Sequence, residues 1–201
     1  MSDFWNQKFE QSPGLYGQAP NAWFESSVQR MQLSPGHASL PGEGEGRNAA
    51  FLLQKGWQVT ALDGSETAIE HARKKLKAFG EKFTYLQGLL PEAPLPSEQF
   101  DLIGLIYFHL PPETRSEVHK DLMKRLKPGG FVFLEAFHPE QLNFSSGGPK
   151  HEGMLYRLED LCQDFAGLHW RYMTKTPAFL NEGIGHQGEA RLVRMIAQKP
   201  I

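Results

Sequence analysis

Residues 40–48 read LPGEGEGRN. Three glycines, Gly42, Gly44 and Gly46, alternate with two glutamates, Glu43 and Glu45. A glycine-rich turn lets backbone amides approach a ligand closely, and such turns commonly cradle anionic phosphate. Two carboxylates in the same turn oppose that use. How this stretch is read therefore decides both the fold and the guest.

The turn has a regular setting. HASLP (37–41) is a short strand candidate that runs into it. RNAAFLLQKG (47–56) puts Ala49, Leu52 and Leu53 on one helical face and stops at Gly56. WQVTALD (57–63) alternates apolar and polar residues, which is a strand. SETAIEHARKKLKAFG (65–80) opens with a Ser65 cap and aligns Ala68, Ile69, Ala72 and Leu76. KFTYLQG (82–88), FDLIGLIYF (100–108) and FVFLEAF (131–137) read as strands, the last two buried on both faces. PPETRSEVHKDLMKRLKPGG (111–130) is a helix with proline in its first turn, stopped by Pro128 and two glycines. Strand and helix alternate throughout, which requires βαβ units, a parallel sheet and right-handed crossovers.

The flanks differ. Residues 138–153 are rich in Gly, Ser and Pro and read as a loop, and YRLEDLCQDFAG (156–167) as a helix. LHWRYMTKTPAFL (168–180) and EARLVRMIAQK (189–199) flank a turn-rich NEGIGHQG and predict an antiparallel edge pair. Residues 1–36, aromatic and punctuated by Pro and Gly, predict an arm packed on the core as a lid, with a single domain over 37–201.

Composition narrows the function classes. A chain of 201 residues with 40% hydrophobic content is one globular domain. A net charge of -2 gives no electrostatic footprint for nucleic acid. One cysteine, Cys162, forms no disulfide framework and suits a reducing compartment. The first residues lack the cationic and apolar pattern of a signal peptide, and LIGLIYFHL (102–110) is too short for a membrane span. The expectation is a soluble cytoplasmic protein with a small-molecule partner, and without nucleic-acid or membrane partners.

Residues 44–49, GEGRNA, satisfy G-x-G-x-x-A between a strand and a helix, and Asp63 follows Gly44 by 19 positions at the next strand's end. That context marks a ribonucleoside site. Charge then discriminates between nucleotides. Each carboxylate held ~4 Å from a phosphate at an effective dielectric near 20 costs about 4 kcal/mol before screening. An adenosine carrying a sulfonium and an ammonium is favoured by the same charges, and S-adenosylmethionine (SAM) is that ligand. The bland alternative is that both glutamates face water.

With those residues on the page, the chain resembles the class I SAM-dependent methyltransferases, and most of all the small bacterial tellurite-resistance type, whose glycine loop often reads EGEGRNA. The arm FW…YGQAPNAW (4–23), FDLIGLIYFHLPPETR (100–115), LKPGG (126–130), NFSSGGPK (143–150) and NEGIGHQGEA (181–190) extend the resemblance over nearly the whole chain. It implies a Rossmann-like three-layer α/β sandwich with a seven-stranded, mostly parallel sheet and an antiparallel last strand. It implies SAM as cofactor, S-adenosylhomocysteine as product and a small acceptor. By position, Gly42, Glu43, Gly44, Gly46 and Asn48 would pass the methionine part, and Asp63 would bind the ribose beside Gly64 and Ser65. Leu89 and Leu90 would lie near the adenine, and Ile106 would back the cofactor. Two departures stand out. Leu40 replaces the acid often found two residues before the first glycine, next to Pro41, and after the third strand no acid appears until Glu92.

Methyl transfer from a sulfonium needs alignment and dryness, and a base only where the acceptor carries a proton. His109, after the fourth strand, is the candidate base or substrate contact, or else a loop-capping histidine. His186 and Tyr16 are candidates for substrate contact and lid, against a solvated hairpin histidine and a packing anchor. His138 and His151 are weaker candidates, Cys162 reads as a packing residue, and HARKKLK (71–77) reads as a solvated helix face. The histidines lack ligand spacing, so no metal is expected. Two rivals remain: an NAD-dependent oxidoreductase using the same loop, and a SAM-binding protein without catalysis.

Overall fold

The computed structural model describes residues 2–92, 95 and 99–201. The elements run α1 (Ser2–Gln11), α2 (Ala22–Met31), β1 (His37–Pro41), α3 (Arg47–Gln54), β2 (Gln58–Asp63), α4 (Glu66–Leu76) and β3 (Phe83–Gln87). They continue with β4 (Phe100–Ile106), α5 (Pro112–Arg125), β5 (Leu126–Phe137), α6 (Leu158–Asp164), β6 (His169–Glu182) and β7 (His186–Gln198). The sheet has seven strands in the order β3-β2-β1-β4-β5-β7-β6. β1 to β5 pair in parallel, and β7 runs antiparallel to both β5 and β6.

Apolar alternation sorts the helices onto two faces. Trp23, Phe24 and Val28 of α2 and Ala49–Leu53 of α3 cover Leu40, Val59, Leu102 and Phe133 on one face. α4 joins them through Ile69 and Ala72 against Ala61 and Tyr85. Val118 and Leu122 of α5, with Leu161 and Phe165 of α6, cover Ile103, Leu105, Val132 and Leu134 on the other. The result is the three-layer sandwich expected of such patterning.

Strand order reverses between β1 and β4. These two pair only at Ala38–Leu102 and Ser39–Ile103. Beyond that point their carboxyl ends part, and a crevice opens where open α/β sheets bind ligands.

Three boundaries differ from the pattern reading. The helix expected over 111–130 ends at Arg125, because Leu126 is already extended (φ -72°, ψ 139°) ahead of Pro128, and β5 starts there. The register then slips between the pairs Phe100–Leu126 and Leu102–Phe131, which absorbs LKPGG as an irregularity inside the strand. The turn read over 181–188 shrinks to Gly183–Gly185, so Glu182 pairs directly with His186.

The first 36 residues contain α1 and α2, which periodicity did not reveal. Asn21 caps α2 by accepting from Phe24 N at 2.8 Å. Its Nδ2 donates to Glu135 Oε1 at 2.6 Å and to Glu182 Oε1 at 3.0 Å. Asn21→Ala removes a cap and leaves the buried Glu135 and the half-buried Glu182 short of a donor. It is expected to lower stability by about 2–4 kcal/mol in urea unfolding. A loss below about 0.5 kcal/mol would show that the junction carries no load.

Candidate active site

The crevice deepens into a cavity of about 420 Å³ at the carboxyl edge of the sheet, roofed by α1 and the residues after it. Its floor on one side is the glycine turn. Gly42 has φ +67°, and a side chain there would start 2.6 Å from the Phe108 ring, so only glycine lets the turn pass. Gly44, at φ +61°, lies under Phe9 of α1 in the same way. Tyr85 of β3 fixes the turn from behind by donating its hydroxyl to Gly44 O at 2.6 Å.

Asp63, at the end of β2, accepts from Gly44 N at 3.0 Å and from Ser65 N at 2.8 Å. Each carboxylate oxygen keeps capacity for a further donor. Burial raises the pKa of its carboxyl, and the backbone bonds oppose the rise. Gly42, Glu43, Gly44, Asn48, Asp63, Gly64, Leu89, Leu90 and Ile106 all line the cavity. Gly46 and Ser65 stand behind it. A side chain at Gly46 would start 3.0 Å from Ala72 and Leu76, so Gly46 lets α3 pack on α4. Ser65 caps α4 through Ala68 N and donates to Asn6 of the arm at 2.8 Å.

The two glutamates acquire partners that the sequence did not suggest. Glu45 accepts from Gly14 N at 2.8 and 3.0 Å and sits 2.9 Å from His71 Nδ1, tying the arm to α4. Glu43 is buried and accepts from Ala49 N at 2.7 Å and Asn48 Nδ2 at 3.3 Å. It thus serves the amino end of α3. Leu40 is buried against Phe24 and Gly104 in the core, which explains why no acid stands there.

The far side of the cavity is aromatic. Tyr16, Tyr107, Phe108, His109, Phe137 and His186 line it. Tyr107, at φ +54°, holds a backbone conformation costly for a non-glycine residue, at the point where β4 ends. Tyr16 is pushed up to about 12 by burial, with Arg47 opposing. His109 donates from Nδ1 to Met154 O at 2.7 Å and accepts from Phe137 N on Nε2 at 3.2 Å. Burial pushes it down to about 4. With both nitrogens engaged by backbone, His109 pins its loop and has no free atom for proton transfer. Tyr156 completes that pin, accepting from Leu110 N and donating to Phe108 O. The three sequence candidates Tyr16, His109 and His186 thus meet at one cavity.

Other candidates fall elsewhere. His138 accepts from Glu140 N at a turn, and His151 is exposed. Cys162, expected to pack, lies exposed on α6. Arg73 of HARKKLK donates to Tyr85 O, while Lys74 faces solvent beside Glu70. Among the described residues no group of His, Cys, Asp and Glu is arranged to hold a metal, and no helix is long and apolar enough to cross a membrane. The pattern reading missed Glu182, Arg47 and Asn21. Their only signal is charge or amide within turn-rich stretches.

Residues 41–130 match the family model described as a methyltransferase domain. The matched stretch includes the glycine turn, Asp63 and the strands β2 to β4. An uncharacterized methyltransferase of Synechocystis sp. is 28% identical over 114 residues, covering 55% of this chain and 52% of that protein. A probable thiol methyltransferase of Arabidopsis thaliana is 31% identical over 129 residues, covering 62% and 55%. The chain spans about half the length of these curated relatives. TehB of Haemophilus influenzae shares the fold, with TM-score 0.74 and 16% identity over 98% of this chain and 66% of that one. Within the glycine turn, Glu43 is the carboxylate that the fold buries.

Burial pushes Glu43 from the ordinary 4.5 up to about 7, against the bonds from Ala49 and Asn48. A raised folded-state value means that the folded protein holds this proton where the unfolded chain has released it. Stability therefore falls as pH rises through that window. The loss by pH 8 amounts to at most about 3 kcal/mol. Glu43→Gln cannot ionise, so the variant is expected to gain on the wild type between pH 5 and pH 8 in urea unfolding. Parallel pH profiles would show that the carboxyl ionises freely in the fold.

Proposed function

We propose that this protein is a SAM-dependent methyltransferase that methylates a small molecule. One observation carries the choice of cofactor. The amino end of α3, where a dinucleotide's pyrophosphate would rest, is already served by the Glu43 carboxylate on Ala49 N. A second anion would compete with that carboxylate for the same helix end. The NAD-dependent reading loses its phosphate site, while a ligand with cationic centres meets no such conflict.

The residues present fit such a ligand. The Gly42–Gly44 turn leaves room that any Cβ would fill, and Asp63 retains acceptor capacity for ribose hydroxyls. Gly64 would stand beside the ribose, Leu89 and Leu90 near the adenine, and Ile106 would back the cofactor. Glu43 and Asn48 lie on the methionine side, with Gly46 and Ser65 holding the frame. When bound, the sulfonium supplies an already activated methyl group. The protein's part is to align the acceptor and exclude water. Trp5, Phe9 and Tyr16 close the cavity for that purpose. The aromatic side supports a small, soft acceptor such as a thiol or metalloid species, in keeping with the name of the Arabidopsis relative, a probable thiol methyltransferase. The near-neutral charge balance and single cysteine support a cytoplasmic protein acting on small molecules rather than on nucleic acid.

Titration calorimetry with SAM, S-adenosylhomocysteine and NADH tests this. Both adenosyl ligands are expected to bind and NADH is not; binding of NADH alone would refute the reading. Asp63→Ala should weaken SAM binding at least tenfold, since a charged hydrogen bond contributes about 1.5–3 kcal/mol. Unchanged affinity would remove Asp63 from the site.

A further inference from the structure

The three-residue turn of the β6–β7 hairpin makes Glu182 and His186 cross-strand partners. His186 is buried yet lines the cavity, with the Tyr16 and Tyr107 rings each 4.4 Å from its own and Phe137 at 5.3 Å. Its two nitrogens differ. Nδ1 is sealed from solvent without a hydrogen bond and looks onto Glu182 Oε2 at 3.6 Å. Nε2 is not sealed in this way and makes no hydrogen bond among the described residues. Gly147 packs on this edge of the ring, since a Cβ there would start 2.5 Å from Cδ2 and 3.1 Å from Nε2. The Glu182 carboxylate is itself held by Arg47 Nη2 at 2.9 Å and Asn21 Nδ2 at 3.0 Å.

The arrangement sets an acid behind Nδ1 at 3.6 Å, longer than a hydrogen bond and of the kind that tightens in a catalytic complex. We propose that His186 is the general base of the methyl transfer, receiving the acceptor's proton on Nε2, and that Glu182 is the positioning residue that holds Nδ1–H. This rests on the methyltransferase reading above. The acceptor's X–H electron pair forms the bond to the methyl carbon. The methyl–sulfur bond breaks with its pair on sulfur, and the proton passes to Nε2 and later to solvent. His109 cannot take this part, because both its nitrogens are bound to backbone.

The groups facing His186 are Glu182 from β6, Arg47 from α3, Tyr16 from the arm, and Tyr107 and His109 from the end of β4. Burial lowers the imidazole pKa, Glu182 opposes the fall, and Arg47 adds to it. The ring is therefore unprotonated near neutrality, and its capacity to accept a proton is lost as pH falls through its folded pKa. Tyr16 and Tyr107, raised by burial, are no alternative.

Two measurements on the full chain test this. Long-range proton–nitrogen NMR near pH 7.5 should find His186 in the Nδ1–H form. Glu182→Gln should disturb that form and move the acid limb of the pH–rate profile to lower pH. In turnover with SAM, His186→Gln should reduce kcat about 100-fold with 2-mercaptoethanol, whose thiol must lose a proton. The reduction should be under about tenfold with thiophenol, which arrives largely ionised. SAM affinity by calorimetry should stay within about threefold of wild type. An Nε2–H ring, or equal losses with both thiols, overturns the proposal. Failure of the wild type to bind SAM overturns the underlying reading instead. If neither thiol turns over, the tautomer alone decides.

Discussion

The side chain of Asn21 is where the structure is tied together. Through one amide it caps α2, donates to Glu135 of β5 and donates to Glu182 of β6, while its backbone N–H reaches Asn48 of α3. The arm, two strands of the sheet and the glycine-loop helix therefore share one junction. The charges gathered there are buried, which is tolerable only when each has a partner. Glu135 has Arg194 and Glu182 has Arg47, so the junction carries two compensated pairs rather than isolated carboxylates. Removing one partner would leave the other charged and dry.

That arrangement divides the cavity electrically. Its glycine-loop side holds Glu43, Glu45 and Asp63, all engaged in bonds to backbone amides. Its far side is aromatic, with two histidines kept from charging by burial. A displacement that collapses a cation into neutral products is helped by a dry aromatic wall and by fixed dipoles on the cofactor side.

Much of this was legible in the sequence. Strand–helix alternation gave the parallel sheet, and the continuous apolar runs at 100–108 and 131–137 gave its buried centre. Spacing alone placed Asp63 beside the glycine turn, because βαβ geometry brings successive strand ends together. What stayed hidden depends on contacts distant in sequence. No periodicity marks α1, whose exposed and buried residues are both aromatic. In the sequence, Glu43 and Glu45 read as charges that act on a ligand. The fold shows each spent first on an amide, Glu43 on Ala49 and Glu45 on Gly14. Neither local bond length nor partner can be inferred from the letters GEGEG. The importance of Glu182 depended on the turn being three residues rather than eight, a difference that decides which side chains oppose each other.

The arm meets the hairpin tip backbone to backbone. Gly185 N donates to Leu15 O at 2.8 Å, and a Cβ at Gly183 would start 2.3 Å from Gly17 N. This seam sets main chain against main chain at Gly17 and Gly183, with the Leu15 and Tyr16 side chains packed on Gly185 beside it. Opening the cavity on this side therefore requires two main chains to part, whatever the side chains of the roof do. Efforts to broaden the accepted molecules would do better to lengthen the segment near Gly17 than to hollow out the sheet floor, whose residues also form the core.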